Sequence, residues 1–111
     1  MKPKEAYEIL EAVYRNPNHP LKNYLENTIS QIPELSYHYS RDIIKKRFIL
    51  GENTISKDPY FSYCYAKHIV KGKLPENMHN AMIAHSIKDS KEYNTRQYFI
   101  YIKLICNKIP L

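Results

Sequence analysis

Tryptophan is absent from this 111-residue chain, and glycine and cysteine occur twice each. Gly51 and Gly72 are too few and too far apart to form a phosphate-cradling loop, which excludes a P-loop and a dinucleotide fingerprint. Cys64 and Cys106 cannot build a disulfide framework and lack the spacing of a zinc site, which fits a reducing compartment. No apolar run approaches the ~18 residues that signal a membrane-spanning helix. Met1-Lys2-Pro3-Lys4-Glu5 leads straight into a charged helical pattern with no apolar leader. The expectation is therefore a cytoplasmic protein with no membrane partner.

What is abundant is tyrosine, 11 residues, and positive charge, +6 net. Lysine outnumbers arginine 13 to 4, and together with the many Asn, Ile and Tyr this points to AT-rich codons and a low-GC genome. The charge makes an acidic partner plausible without requiring one. The length suits one domain, 1–111, large enough to bury a core.

Apolar residues recur at helical spacing along the whole chain. Ala6, Leu10 and Val13 predict a helix over 3–15, with Pro3 in its first turn. Asn16-Pro17-Asn18-His19-Pro20 breaks it. Leu21, Leu25, Thr28 and Ile32 predict a second helix, and Ser36, Tyr39, Ser40 and Ile43 a third over 33–47. The stretch 49–57 reads as a connector with one short turn around Thr54-Ile55. Asp58-Pro59 pairs a cap with a proline at the first helical position. The helix that follows ends at Gly72, read as its C′ residue. Pro75-Glu76 opens a further helix to about Lys88, and Asp89-Ser90 caps the last, which ends near Lys108. No segment alternates with period two. The predicted fold is all-α, a small stacked helical-repeat, solenoid-like domain of about five or six helices.

The repeat is direct. With an offset of 26, residues 26–48 match 52–74 at 11 of 23 positions, too many in one register for coincidence. Glu26-Asn27-Thr28-Ile29-Ser30 equals Glu52-Asn53-Thr54-Ile55-Ser56, and Pro33, Ser36, Tyr37, Tyr39, Ile43 and Lys45 recur as Pro59, Ser62, Tyr63, Tyr65, Ile69 and Lys71. Each unit pairs a longer with a shorter helix, and neither buries its apolar face without neighbours. Ser36, Ser40, Ser62 and Ala66 fall at the centre of the buried face, where small residues let helix axes approach. Tyr37, Tyr39, Tyr63 and Tyr65 flank them as packing residues, their hydroxyls expected to reach the rim for partners. Ile87-Lys88-Asp89 faintly echoes a third copy, so the clearest units are 26–48 and 52–75.

The stretch 58–76, Asp-Pro-Tyr-Phe-Ser-Tyr-Cys-Tyr-Ala-Lys-His-Ile-Val-Lys-Gly-Lys-Leu-Pro-Glu, resembles a helical repeat found in proteins of bacteriophages and large DNA viruses. That repeat runs Asp-Pro, an aromatic, Tyr-Ala, Val-Ile-Lys-Gly-Arg and Pro-Glu. The first unit departs from it at Ser40, in place of Ala, and Lys46, in place of Gly. The resemblance implies a viral origin and an α-helical repeat fold. It implies no enzymatic activity and names no ligand.

No catalytic constellation stands out. The carboxylates are scattered, mostly near helix starts where they complement the dipole, and no Ser or Cys sits in a nucleophile elbow. Cys64 and His68 are four apart on one helix, with His79 and His85 on the next, yet in the repeat they align with His38 and Asp42 and read as isolated exposed residues rather than metal ligands. No metal, cofactor or catalytic residue is expected. The candidate binding surface is a basic edge of Arg41, Lys45, Lys46 and Arg47 in one unit and Lys67, Lys71 and Lys73 in the next. Such cations also serve the dipole and solubility. The expected function is a non-enzymatic protein-binding module, phage-encoded, that inhibits or redirects a host or anti-phage defence protein or nucleoprotein complex, in the manner of an anti-CRISPR protein, in the host cytoplasm. The alternative is an RNA- or DNA-binding protein acting through the Lys/Arg ridge.

Overall fold

The computed structural model describes residues 1–16, 18–88 and 92–108, with side chains described outside 87–88, 92–95 and 107–108. Among them are seven α-helices and no strand: α1 (Pro3–Val13), α2 (Lys22–Ile29), α3 (Pro33–His38), α4 (Ile49–Ile55), α5 (Pro59–Tyr65), α6 (Glu76–Lys88) and α7 (Glu92–Lys108). α2, α4 and α6 stack as one layer and α3, α5 and α7 as another, with α1 closing the end against α2 and α3. The result is an elongated slab of 46 × 31 × 18 Å, the shape expected when each unit touches only its neighbours. None of the described helices is long and apolar enough to cross a membrane.

The helix count exceeds the expected five or six because the supposed connector 49–57 folds as α4. Its pattern is hard to read locally. Ile49 and Leu50 point outward, 63% and 51% exposed, and Gly51 sits inside the helix. Packing explains the glycine. A Cβ at Gly51 would lie 2.6 Å from Ser36 Oγ, 2.7 Å from Ser36 Cβ and 2.8 Å from Phe48 Cδ2. α3 and α4 approach so closely that only glycine fits. The predicted Asp89-Ser90 cap lies outside the described residues. The Asp58 cap is formed, its Oδ1 accepting from Phe61 N–H at 3.1 Å.

The third predicted helix also changes form. α3 widens into π-helical turns over Tyr39–Ile44, and α5 does the same over Ala66–Val70. At each end one carbonyl receives two N–H groups: Ser40 O from Lys45 and Lys46, Ala66 O from Lys71 and Gly72. The residue that turns left-handed is the lysine, Lys45 at φ 54° and Lys71 at φ 61°. Gly72 therefore does not serve as the left-handed C′ residue expected of it. Its φ is not positive, and a Cβ there would meet nothing within 4 Å.

The repeat carries through to packing. Ser36 and Ser62, both fully buried, donate to the carbonyls of Ile29 (3.0 Å) and Ile55 (2.8 Å) seven residues upstream. Ser30 and Ser56 donate to Asn27 O and Asn53 O. One apolar cluster holds Ala6, Leu10, Leu25, Ile29, Tyr39 and Phe48; the other includes Ile55, Tyr65, Ala66, Leu74, Met78, Met82, Tyr101 and Ile105. Tyr39 and Tyr65 are fully buried, and their hydroxyls do not reach the rim as expected. Each instead finds the glutamate thirteen residues upstream, Glu26 Oε2 at 2.8 Å and Glu52 Oε2 at 2.6 Å. Neither glutamate is therefore a mere dipole complement.

Candidate functional site

The two π-helical ends pack against each other, and the wide left-handed exit of each throws its lysines to one side. Lys45 and Lys46 of the first unit meet Lys71 of the second across an open cleft of ≈ 310 Å³, which Arg41, His68 and Ile69 complete. The lining holds no carboxylate. The backbone satisfies part of each helix end through the doubly used carbonyls of Ser40 and Ala66, and the lysines complement the dipole there as well. The Ser40 hydroxyl adds a short bond to Lys46 O.

Arg41 is held at the cleft edge by several contacts. It forms a fork with Asp42 (Nε–Oδ1 2.8 Å, Nη2–Oδ2 3.0 Å), lies 3.1 Å from His38 Nδ1 and stacks 5.2 Å above the Tyr37 ring. The hydrogen bonds to Asp42 raise the guanidinium's pKa, and the same pairing holds the Asp42 carboxyl below its usual range. Asp42 is thus engaged at the rim. Tyr37 in turn packs on Phe61 of the second unit, so the stack ties Arg41 to the unit interface.

The other predicted cations have different surroundings. Arg47 turns away from the cleft and forks onto Glu52, Nε to Oε2 at 2.7 Å and Nη2 to Oε1 at 2.8 Å. Burial alone would push the Glu52 carboxyl up; the bonds from Arg47 and then Tyr65 outweigh it and hold the group below its usual range. Lys67 lies 6.0 Å over the Tyr63 ring, outside the cleft lining. Lys73 is exposed and also outside it. The structure thus gathers Arg41, Lys45, Lys46 and Lys71 from the seven, and adds His68 and Ile69. The signal for His68 lay in the repeat itself: it aligns with Asp42, the partner of Arg41.

Cys64 and His68 do not form a ligand pair. Cys64 is buried, contrary to the expectation of an exposed thiol, and burial pushes its pKa up, while His68 faces solvent. Cys64 belongs to the apolar cluster that holds Tyr37, with Phe61 packed against it. No group of three or more His, Cys, Asp or Glu among the described residues could hold a metal ion.

Compared with known protein-family models, curated proteins and solved structures, the chain matches none.

Proposed function

We propose that this chain is a non-enzymatic, virus-encoded binding module that docks its basic cleft on an acidic surface of a host or antiviral-defence protein and blocks or redirects it in the host cytoplasm. The observation that carries this reading is the convergence of Lys45, Lys46 and Lys71 from two repeats onto one cleft with no carboxylate in its lining. A cluster of positive charge steers an acidic surface toward it. Arg41 at the edge already gives its fork to Asp42, so the lysines carry the attraction. The viral origin rests on the likeness of 58–76 to viral helical repeats.

The test is recovery of a stoichiometric complex from infected and uninfected low-GC host lysates, with and without nuclease, in moderate salt. The Lys45→Glu, Lys46→Glu, Lys71→Glu triple variant should fold normally and lose the partner. A complex that survives the triple reversal would sink the reading.

A second reading, nucleic-acid binding at the same cleft, draws on the same cations. The burial of Tyr37, Tyr39 and Tyr65 withdraws these rings from base stacking, so binding would rest on phosphate contacts. With about four cations engaged, log K should then fall with log salt at a slope of about −3 to −4. Loss of the complex on nuclease treatment would favour this reading.

A further inference from the structure

The helix pairs α2–α3, α4–α5 and α6–α7 each bury a tyrosine whose hydroxyl ties helix to helix, and the pair α6–α7, the third unit, uses different chemistry. In the second unit the Tyr65 hydroxyl accepts from Phe48 N–H at 3.0 Å and donates to Glu52 Oε2 at 2.6 Å. In the third, the Tyr101 hydroxyl accepts from Leu74 N–H at 3.1 Å and lies 2.6 Å from His79 Nδ1. Leu74 is the 26-residue equivalent of Phe48, and His79 stands one residue past the position equivalent to Glu52. An imidazole therefore takes the place of a carboxylate.

The proton count fixes the state of that imidazole. A tyrosine hydroxyl has one proton, and Leu74 N–H can only donate to it. If Tyr101 donates to Nδ1, its hydroxyl accepts one bond and donates one, and His79 is neutral with its proton on Nε2. If Nδ1 carries a proton, two donors converge on the Tyr101 oxygen and its own proton has no acceptor among the described residues. Tyr101 is fully buried, so water cannot take that proton. Burial first, and then Lys73 in the segment before α6, disfavour the charged imidazole; Glu76 on α6 opposes them. No charged group of α4 or α5 acts on it among the described residues, and from α7 the titratable group that meets it is Tyr101.

We propose that His79, Tyr101 and Leu74 N–H form an acid-sensitive latch, which opens in mildly acidic solution and frees α7 from the Leu74 segment while the Glu52 clasp of the second unit stays closed. The sign follows from linkage. His79 titrates below its ordinary 6.5 in the folded chain, so its contribution is complete above that value and is lost as pH falls through the lower folded one. Glu52 sits below its ordinary 4.5 and holds its charge through this interval. α7 packs on both α5 and α6, so opening loosens the cover over the second apolar cluster.

Amide hydrogen exchange of the intact chain tests this, with Phe48 N–H as the internal reference for Leu74 N–H. Between about pH 7.5 and pH 5, Leu74 protection should fall about tenfold relative to Phe48, the scale of one buried hydrogen bond lost. At pH 7.5 the nitrogen shifts of His79 should report the Nε2–H tautomer. His79→Glu should move the fall into the carboxylate range, with Phe48 protection reporting that the fold persists. Parallel protection of the two amides across the whole interval, or an Nδ1–H tautomer at pH 7.5, would overturn the latch.

Discussion

The first and second units share 11 of 23 residues, yet the same tyrosine–glutamate pair sits in two different environments. Tyr39 reaches a half-buried Glu26 in a single hydrogen bond. Tyr65 reaches Glu52, 7% exposed, which also receives the Arg47 fork, while the Tyr65 hydroxyl takes Phe48 N–H. The position equivalent to Arg47 in the first unit is Leu21, exposed and without a charge. The cause is the place in the stack. The second unit is covered on both sides, by α3 and by α6 and α7, so a buried carboxylate there needs every bond satisfied. The first unit has only α1 on its outer side, and its glutamate keeps contact with water. Repetition of sequence sets the framework, and position in the array decides how much each polar group matters.

The largest expected effect tests that difference. Glu52→Ala strands the buried Tyr65 proton and unpairs Arg47, and should cost about 3 kcal/mol. Glu26→Ala, with water available to Tyr39's partner site, should cost about 1 kcal/mol. Urea denaturation of the two variants measures both, and equal costs would remove the distinction between inner and outer units. Acid titration sharpens it. Glu52 contributes stability above its ordinary 4.5, lost as pH falls through its lower folded value. Glu52→Gln should therefore flatten the decline of stability on that side of pH 4.5.

The two glycines form a second contrast. At Gly51 a Cβ would lie within 2.8 Å of Ser36 and Phe48, and the Ser36 hydroxyl is already committed to Ile29 O. Gly51→Ala should cost about 2 kcal/mol by overpacking the α3–α4 contact. Gly72→Ala meets open space at a φ that is not positive, and should change stability by less than about 0.5 kcal/mol. Thermal melts of the pair check this. A mild Gly51→Ala would mean that the two helices separate more easily than their contact distance implies.

These contrasts show how much was legible in the residues. The all-α class, the stacked units and the buried serines followed from a 3.6-residue period and a strong internal match, because packing faces repeat faithfully. α4 was missed because its outward Ile49 and Leu50 and its inward Gly51 invert the usual pattern. Glycine is the usual residue at a left-handed turn, which points to Gly72 rather than Lys71, yet the π-helical exit shifts the turn by one residue. The tyrosine–glutamate clasps were hidden for a different reason. Glu26 and Glu52 are identical in the alignment, but a glutamate in a short amphipathic helix reads as surface until the helix is seen to face a buried hydroxyl. Of the basic edge, the cations that share one cleft could be separated from Arg47, Lys67 and Lys73 only once the turn direction was known.

The last expected effect links stability to the proposed function. A non-glycine residue in the left-handed region costs roughly 1–2 kcal/mol, part of which glycine returns as chain entropy. Lys45 holds φ 54° at the mouth of the cleft, where glycine would serve the backbone better. Lys45→Gly should therefore stabilise the fold by about 0.5–1 kcal/mol. If the lysine is kept for its charge, the same variant should weaken partner binding, so that melting temperature and affinity move in opposite directions. Lys67→Gln, which removes a neighbouring charge outside the cleft, should leave affinity unchanged. Equal losses from Lys45→Gly and Lys67→Gln would indicate that net charge, and not the cleft shared by the two units, governs the interaction.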